Sequence, residues 1–208
     1  MLSTLNATDA RMAADADFRQ LRHHTKNALQ RILCQIERCR ELQATADGKR
    51  LITDIERRVR LSSAVSDAMF GLTSKPGPLQ ARLQQLCDAL IELLGDPDQL
   101  LRARVIVDPA VPARLDDTVL RIVHEFVGNA IKHGLYARSV GNITVQVERA
   151  ADLRVQIQVI DDGWGVCCAP EQGEGLKLAR VLAEQQGGSV DLGSHRGLTR
   201  AEASLHPS

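Results

Sequence analysis

The strongest constraint on how this chain folds is the break at Thr73-Ser74-Lys75-Pro76-Gly77-Pro78, where the period of its apolar residues changes. Two prolines around a glycine cannot continue a helix, so this stretch ends whatever precedes it. Upstream, Phe18, Leu21, Thr25, Ala28, Ile32 and Cys39 recur at three- and four-residue steps and predict one long helix from about Asp15 to Leu42. Thr45-Ala46-Asp47-Gly48 reads as a turn. Leu51, Ile52, Ile55, Val59, Leu61, Val65 and Met69 then predict a second long helix from about Lys49 to Gly71. A hairpin of two amphipathic helices cannot bury both apolar stripes alone. A second copy solves this as a four-helix bundle in a homodimer.

Downstream of the break the pattern is mixed. A helix is expected from about Leu79 to Leu94, then a loop with Pro97 and a short strand from Arg104 to Val107. A helix from about Asp116 to Gly134 follows, with Asp116 or Asp117 as its N-cap. Alternating runs from Asn142 to Glu148 and from Leu153 to Ile160 read as an antiparallel pair. A glycine-rich loop leads to a helix from about Glu174 to Gln186, ended by Gly187-Gly188, and strands near Ser189 to Leu192 and Leu198 to Leu205 close the chain. The expected fold is α + α/β: a helical hairpin forming a dimeric bundle, then a two-layer α/β sandwich. Residues 1–14 are expected to be a disordered N-terminus, 15–74 the hairpin, 75–78 a linker and 79–208 the sandwich.

Composition narrows the functional classes. With 26 Lys and Arg against 26 Asp and Glu, nucleic-acid binding has no electrostatic support. No apolar run approaches the roughly 20 residues that span a bilayer, so no membrane insertion is expected. Met1 to Ala16 is polar and acidic, unlike a secretory leader. The five cysteines contain no CxxC pair, which indicates neither a disulfide framework nor a zinc site. A cytoplasmic protein is the simplest expectation, and with no sensory domain of its own its input would come from an upstream sensory partner.

Several constellations carry chemistry. On the helix near residue 125, Glu125, Asn129, Lys132 and His133 fall three or four residues apart and share one face. Oxygen ligands suit Mg²⁺ and Lys132 suits a phosphate. On the first helix, at about 100° per residue, His23 lies nearly opposite the apolar arc, on the wet face, with Lys26, Asn27, Gln30 and Cys34 beside it. An exposed neutral imidazole is a competent nucleophile toward phosphorus. In Val159-Ile160-Asp161-Asp162-Gly163-Trp164-Gly165 an apolar strand ends in a carboxylate followed by glycines, which lets the backbone turn closely around a flat ligand while Asp161 accepts from an exocyclic amine. Gly173-Glu174-Gly175-Leu176 opens a helix, and the unpaired N–H groups there form an anion site. Each pattern taken singly is weak, since D-x-G-x-G is also an ordinary turn and no P-loop is present.

Their order is more specific than any one of them. It resembles the histidine kinase transmitter and the wider GHKL ATPase superfamily with the Bergerat ATP-binding fold. His124-Glu125-x-x-x-Asn129-Ala130-x-Lys132-His133 looks like the N box, Asp161-x-Gly163-x-Gly165 like the G1 box, and Gly173-x-Gly175-Leu176-x-Leu178 like the G2 box. Leu21-x-His23-x-x-Lys26-Asn27-x-Leu29-Gln30 resembles the phosphoacceptor box of the HisKA_2 and HWE subgroups, and His124 is an HWE-like trait. Three departures stand out. His24 takes the place of the usual HisKA_2 arginine, the W-x-E signature is missing, and only Val166 to Gln172 separate Gly165 from Gly173 where an ATP lid belongs.

The resemblance implies ATP and Mg²⁺ as cofactors and a response-regulator receiver domain as partner. It implies that His23 accepts the γ-phosphoryl group, that Asn129 ligates Mg²⁺, and that Glu125 orders the metal's water or relays a proton. Lys132 and His133 would contact phosphate, Asp161 would read adenine with Gly163 and Gly165 closing on it, and Gly173, Gly175 and Leu176 would line the phosphates. Two alternatives follow from the same residues. One is a histidine phosphotransferase of the same fold with little ATP hydrolysis. The other is a GHKL binding module or Ser/Thr switch kinase.

Overall fold

The computed structural model describes residues 31, 32, 34–36, 38, 43–70, 77–165, 173–195 and 197–206. The expected first helix lies largely outside them, and the N-terminus expected to be disordered, Lys75 and Pro76 of the linker and the lid lie outside them altogether. The chain divides into two compact units, residues 1–63 and 64–208. Helix α1 spans Ala46–Phe70. It starts three residues earlier than its apolar spacing suggests, because the Thr45 hydroxyl accepts the Gly48 N–H at 3.0 Å and closes the first turn. Within the second unit Val65 and Ala68, near the end of α1, join the buried core.

Helix α2 (Leu79–Leu94) matches its expected bounds. It presents Leu83, Leu86, Cys87 and Leu90 to the core at helical spacing. Burial, with the Asp88 charge beside it, pushes the Cys87 thiol up to about 12, so it is an inert core residue. Strand β1 (Leu100–Val107) is followed by a 3₁₀ turn (Ala113–Leu115) and helix α3 (Asp116–Asn129), which runs into a π-helical turn (Ala130–Gly134). Strands β2 (Val140–Arg149) and β3 (Val155–Asp161) form the antiparallel pair. Helix α4 (Glu174–Glu184) and strands β4 (Ser189–His195) and β5 (Leu198–Leu205) complete the unit.

The five strands lie in the order β1-β2-β3-β5-β4, with β1 parallel to β2 and every other pair antiparallel. Alternation decides which face is covered. Ile143, Val145 and Val147 on β2, Val155, Ile157 and Val159 on β3, and Ala201, Ala203 and Leu205 on β5 are all buried. Between them Gln146, Gln158 and Glu202 stand in register across the opposite, half-exposed face. Helix α2 packs on β1, α3 on β3, and α4 on β4 and β5. The result is the expected two-layer α/β arrangement, with an aliphatic core in which Phe126 is the largest fully buried side chain.

The N-cap expectation for α3 is corrected. Leu115 occupies the cap position in a helical conformation and makes no side-chain cap, because the 3₁₀ turn already leads into the helix. Asp116 and Asp117 instead sit in the first turn and face the buried Arg82, at 3.6 and 3.7 Å. Arg82 also donates to the carbonyls of Ala68 (3.3 Å) and Met69 (3.1 Å), so one guanidinium joins the C-terminal turn of α1 to the acidic start of α3.

At the other end of α3 the helix widens. The Leu135 N–H reaches the Ala130 carbonyl at 2.8 Å, and the turn delivers Gly134 against the end of β3. There the Trp164 N–H donates to the Gly134 carbonyl at 3.0 Å. A Cβ at Gly163 would stand 2.0 Å from that carbonyl oxygen, and one at Gly134 would stand 2.5 Å from Oδ1 of Asp161. The obstacle at Gly163 is backbone that cannot swing aside. Gly163→Ala is therefore expected to lower the unfolding free energy by about 3 kcal/mol in urea denaturation. An unchanged midpoint would show that the helix–strand junction is not close-packed.

Candidate functional site

The site grows from the end of β3. Asp161 is the last residue of that strand, and alternation turns it toward the helices, leaving it 3% exposed. Oδ1 accepts the Gly163 N–H at 3.0 Å. Thr199, its register partner on β5, is buried beside it. The Thr199 hydroxyl is near enough to favour the charged carboxylate, yet it closes no hydrogen bond of good geometry among the described residues. Burial raises the Asp161 carboxyl above the usual range, helped by the Asp162 charge. The Gly163 N–H, the Thr199 hydroxyl and the Arg138 guanidinium pull it back only in part. A buried carboxylate with spare lone pairs, next to an unpartnered buried hydroxyl, is suited to a ligand that supplies a donor.

Asp162 behaves oppositely. Burial raises it, but the backbone and side-chain N–H groups of Asn142, both at 2.7 Å, and the Arg138 charge outweigh burial and hold it below the ordinary value. Adjacent carboxylates thus have divided roles, one tying β3 to β2 and one facing inward. Gly165 follows with φ +78°, a left-handed conformation that suits glycine, and a Cβ there would stand 2.8 Å from the Ser194 hydroxyl. Trp164 projects outward, 68% exposed. Its Nε1–H donates to the Tyr136 carbonyl at 3.0 Å and the Arg138 guanidinium lies 5.4 Å from its ring centre.

The second cluster lies along α3. Glu125 and Asn129 are half-buried, whereas Lys132 and His133 are exposed. Glu125 Oε1 is 2.9 Å from His124 Nδ1. Its Oε2 faces the start of α4, where a Cβ on Gly175 would stand 2.1 Å from it. Gly173 is the N-cap residue of α4 and Leu176 is 5% exposed, anchoring the first turn in the core. Gly173 has a φ of −57° and open space around it, so nothing in the fold demands glycine there. The Leu176 and Lys177 N–H groups both reach the Gly173 carbonyl, at 3.1 and 3.3 Å, and the Glu125 carboxylate lies beside Gly175 at the positive end of the helix.

Asp161, Gly163 and Gly165 are therefore brought together with Gly134, and Glu125 with Gly175. The two clusters are separated by about 13 Å along α3, at 1.5 Å per residue. His23 lies outside the described residues. Thr199 and Arg138 were not expected at the site, and His124, although part of the N-box pattern, had no role assigned to it. Thr199 enters only through the β3–β5 register, and an imidazole bonded to its sequence neighbour breaks the three- and four-residue rule that guides helix-face reading. Among the described residues no three His, Cys, Asp or Glu side chains group to hold a metal ion.

The raised Asp161 carboxyl has a consequence for stability. A folded-state value above the unfolded one means that the ionised carboxylate costs stability as pH rises from the unfolded through the folded value, and that the cost vanishes below both. Asp161→Asn is thus expected to unfold at a higher temperature than the wild type at pH 7–8, with the gap closing as the pH falls toward 4. A gap that does not depend on pH would contradict this.

No protein-family model matches the chain. It is similar to the sensor histidine kinase PdtaS of Mycobacterium tuberculosis H37Rv, 26% identical over 189 residues, which are 85% of this chain and 36% of that protein. The Mycolicibacterium smegmatis PdtaS is 27% identical over 197 residues, 89% of this chain and 38% of that one. The chain thus spans little more than a third of the relatives it matches. Among solved structures, the histidine kinase domain of the Erythrobacter litoralis EL346 blue-light activated histidine kinase aligns with TM-score 0.56 at 19% identity, covering 86% of this chain and 95% of that domain. Full-length ShkA in complex with AMPPNP aligns with TM-score 0.51 at 20% identity, covering 90% and 45%. In sequence the chain is similar to sensor histidine kinases, and its fold is that of the solved histidine kinase domains.

Proposed function

We propose that this chain is the transmitter of a two-component histidine kinase, which takes the γ-phosphoryl group of ATP onto His23 and passes it to an aspartate of a response-regulator receiver domain. The observation that carries the reading is the floor of the site: a desolvated carboxylate, Asp161, beside the orphaned hydroxyl of Thr199, at the glycine-lined end of a strand. That pair suits the exocyclic amine of adenine and a bridging water. The carboxylate Glu125 and the opening of α4 lie one extended nucleotide away along α3, where a triphosphate would end.

The roles of the remaining residues follow. Lys132 and His133, exposed on the π turn, contact phosphate oxygens. Asn129 offers an oxygen ligand. Mg²⁺ would be held by Asn129 together with phosphate oxygens of the nucleotide, since Mg²⁺ is usually bound through one or two protein ligands plus substrate phosphates. When bound, the ion would neutralise charge on the leaving phosphates. The His23 imidazole forms the N–P bond as the bond from the γ-phosphorus to the bridging oxygen breaks, with ADP leaving, and Glu125 relays the proton that the ring gives up. The bundle formed by two copies would carry His23 on its wet face and present it to the receiver domain. Input would arrive from a sensory partner, and the setting would be the cytoplasm. No helix among the described residues is long and apolar enough to cross a membrane.

Incubation of the full chain with γ-labelled ATP and Mg²⁺ tests the reading. Acid-labile, base-stable label is expected on the wild type and none on His23→Ala, with the label moving to a receiver domain on mixing. An unlabelled protein that still accepts phosphate from a phosphorylated receiver would replace the kinase with a phosphotransferase, and acid-stable phosphate on a partner would replace it with a Ser/Thr switch kinase.

A further inference from the structure

Side chains at neighbouring positions on an α-helix diverge by about 100° and do not face each other. His124 and Glu125 are nevertheless joined on α3, Nδ1 to Oε1 at 2.9 Å. Both are partly shielded, with side chains 30% and 21% exposed. The other carboxylate oxygen packs against Gly175 in the first turn of α4, so closely that a Cβ there would fall 2.1 Å from Oε2 and push the carboxylate out of this position. One oxygen is thus tethered and the other is confined. The arrangement fixes a rotamer for a carboxylate at the positive end of a helix, where an untethered glutamate would sample several.

We propose that His124 is a positioning residue for Glu125, holding its carboxylate against the opening turn of α4, and that Gly175 is required there for the room it leaves rather than for backbone freedom. An ionised carboxylate only accepts hydrogen bonds, so Nδ1 must carry the proton. The neutral ring is therefore held as the Nδ1–H tautomer, and Nε2 keeps a lone pair directed away from Glu125. The kinetic consequence rests on the phosphorylation reading, in which Glu125 lies beside the transferring group. The contact itself does not.

Two measurements on the full chain separate these. Ring ¹⁵N spectra of the nucleotide-free protein should show His124 as Nδ1–H, reverting in Glu125→Ala to the Nε2–H form that free histidine favours. With labelled ATP, His124→Leu should lower the phosphorylation rate at saturating ATP about tenfold while calorimetric affinity for a non-hydrolysable ATP analogue stays unchanged. His124→Asn, which keeps a donor at the same place, should recover most of the rate. Gly175→Ala should reproduce the loss, and in combination with His124→Leu should add little to it. An Nε2–H ring in the wild type, full activity in His124→Leu, or a loss confined to nucleotide affinity would overturn the proposal. Absence of label in the wild type would remove the phosphorylation reading and the kinetic role together. The tautomer would then still report whether the contact exists.

Discussion

The site depends on one close approach, the meeting of the π turn after α3 with the end of β3. The Gly134 carbonyl, the Asp161 carboxylate and the Gly163 backbone share a volume too small for any Cβ. This packing buries Asp161 without supplying enough donors to satisfy it, which is why its carboxyl is pushed upward. Burial of an under-satisfied acid does not stabilise a fold by itself. It makes sense as a cost carried for recognition of a ligand that brings the missing donor.

The same junction sets the geometry of everything further along α3. Because Gly134 is locked to β3, the face bearing Asn129 and Glu125 is presented at a fixed height, and α4 can be laid across it at Gly175. At the opposite end, Arg82 fastens the start of α3 to the last turn of α1 through two carbonyls and two carboxylates. The helix that carries the proposed phosphate and metal groups is therefore held at both ends. Its apolar face, from Val119 to Val127, is buried along its length. A rigid helix between two fixed points is what phosphoryl transfer asks of a protein whose contribution is positioning.

Much of this was legible in the sequence, and the exceptions have physical reasons. Helix α2 was read to the residue because Pro78 and Gly95 bound an unbroken apolar period. Strand β1 was read as starting at Arg104, whereas it starts at Leu100. Leu100-Leu101 does not alternate, and only the parallel pairing of Leu100 with Val140 reveals it as strand. Asp116 looked like a cap because caps favour aspartate, but a buried arginine far away in the chain claims it. The π turn left no trace in spacing, since one extra residue per turn is invisible over five positions. Asp161, Gly163 and Glu125 stand out in the sequence because their residue types fall in local patterns. Thr199 and the His124–Glu125 contact arise from register and rotamer, which local patterns do not encode.

The central claim, that the floor of this site reads adenine through Asp161, is tested most directly by calorimetric titration of the full chain with non-hydrolysable ATP and GTP analogues in Mg²⁺. The account predicts one site per chain for the ATP analogue and loss of about a hundredfold in affinity on Asp161→Ala. It also predicts weak binding of the GTP analogue, whose ring carbonyl would meet the carboxylate acceptor to acceptor. Equal affinity for both analogues, or binding indifferent to Asp161, would contradict it.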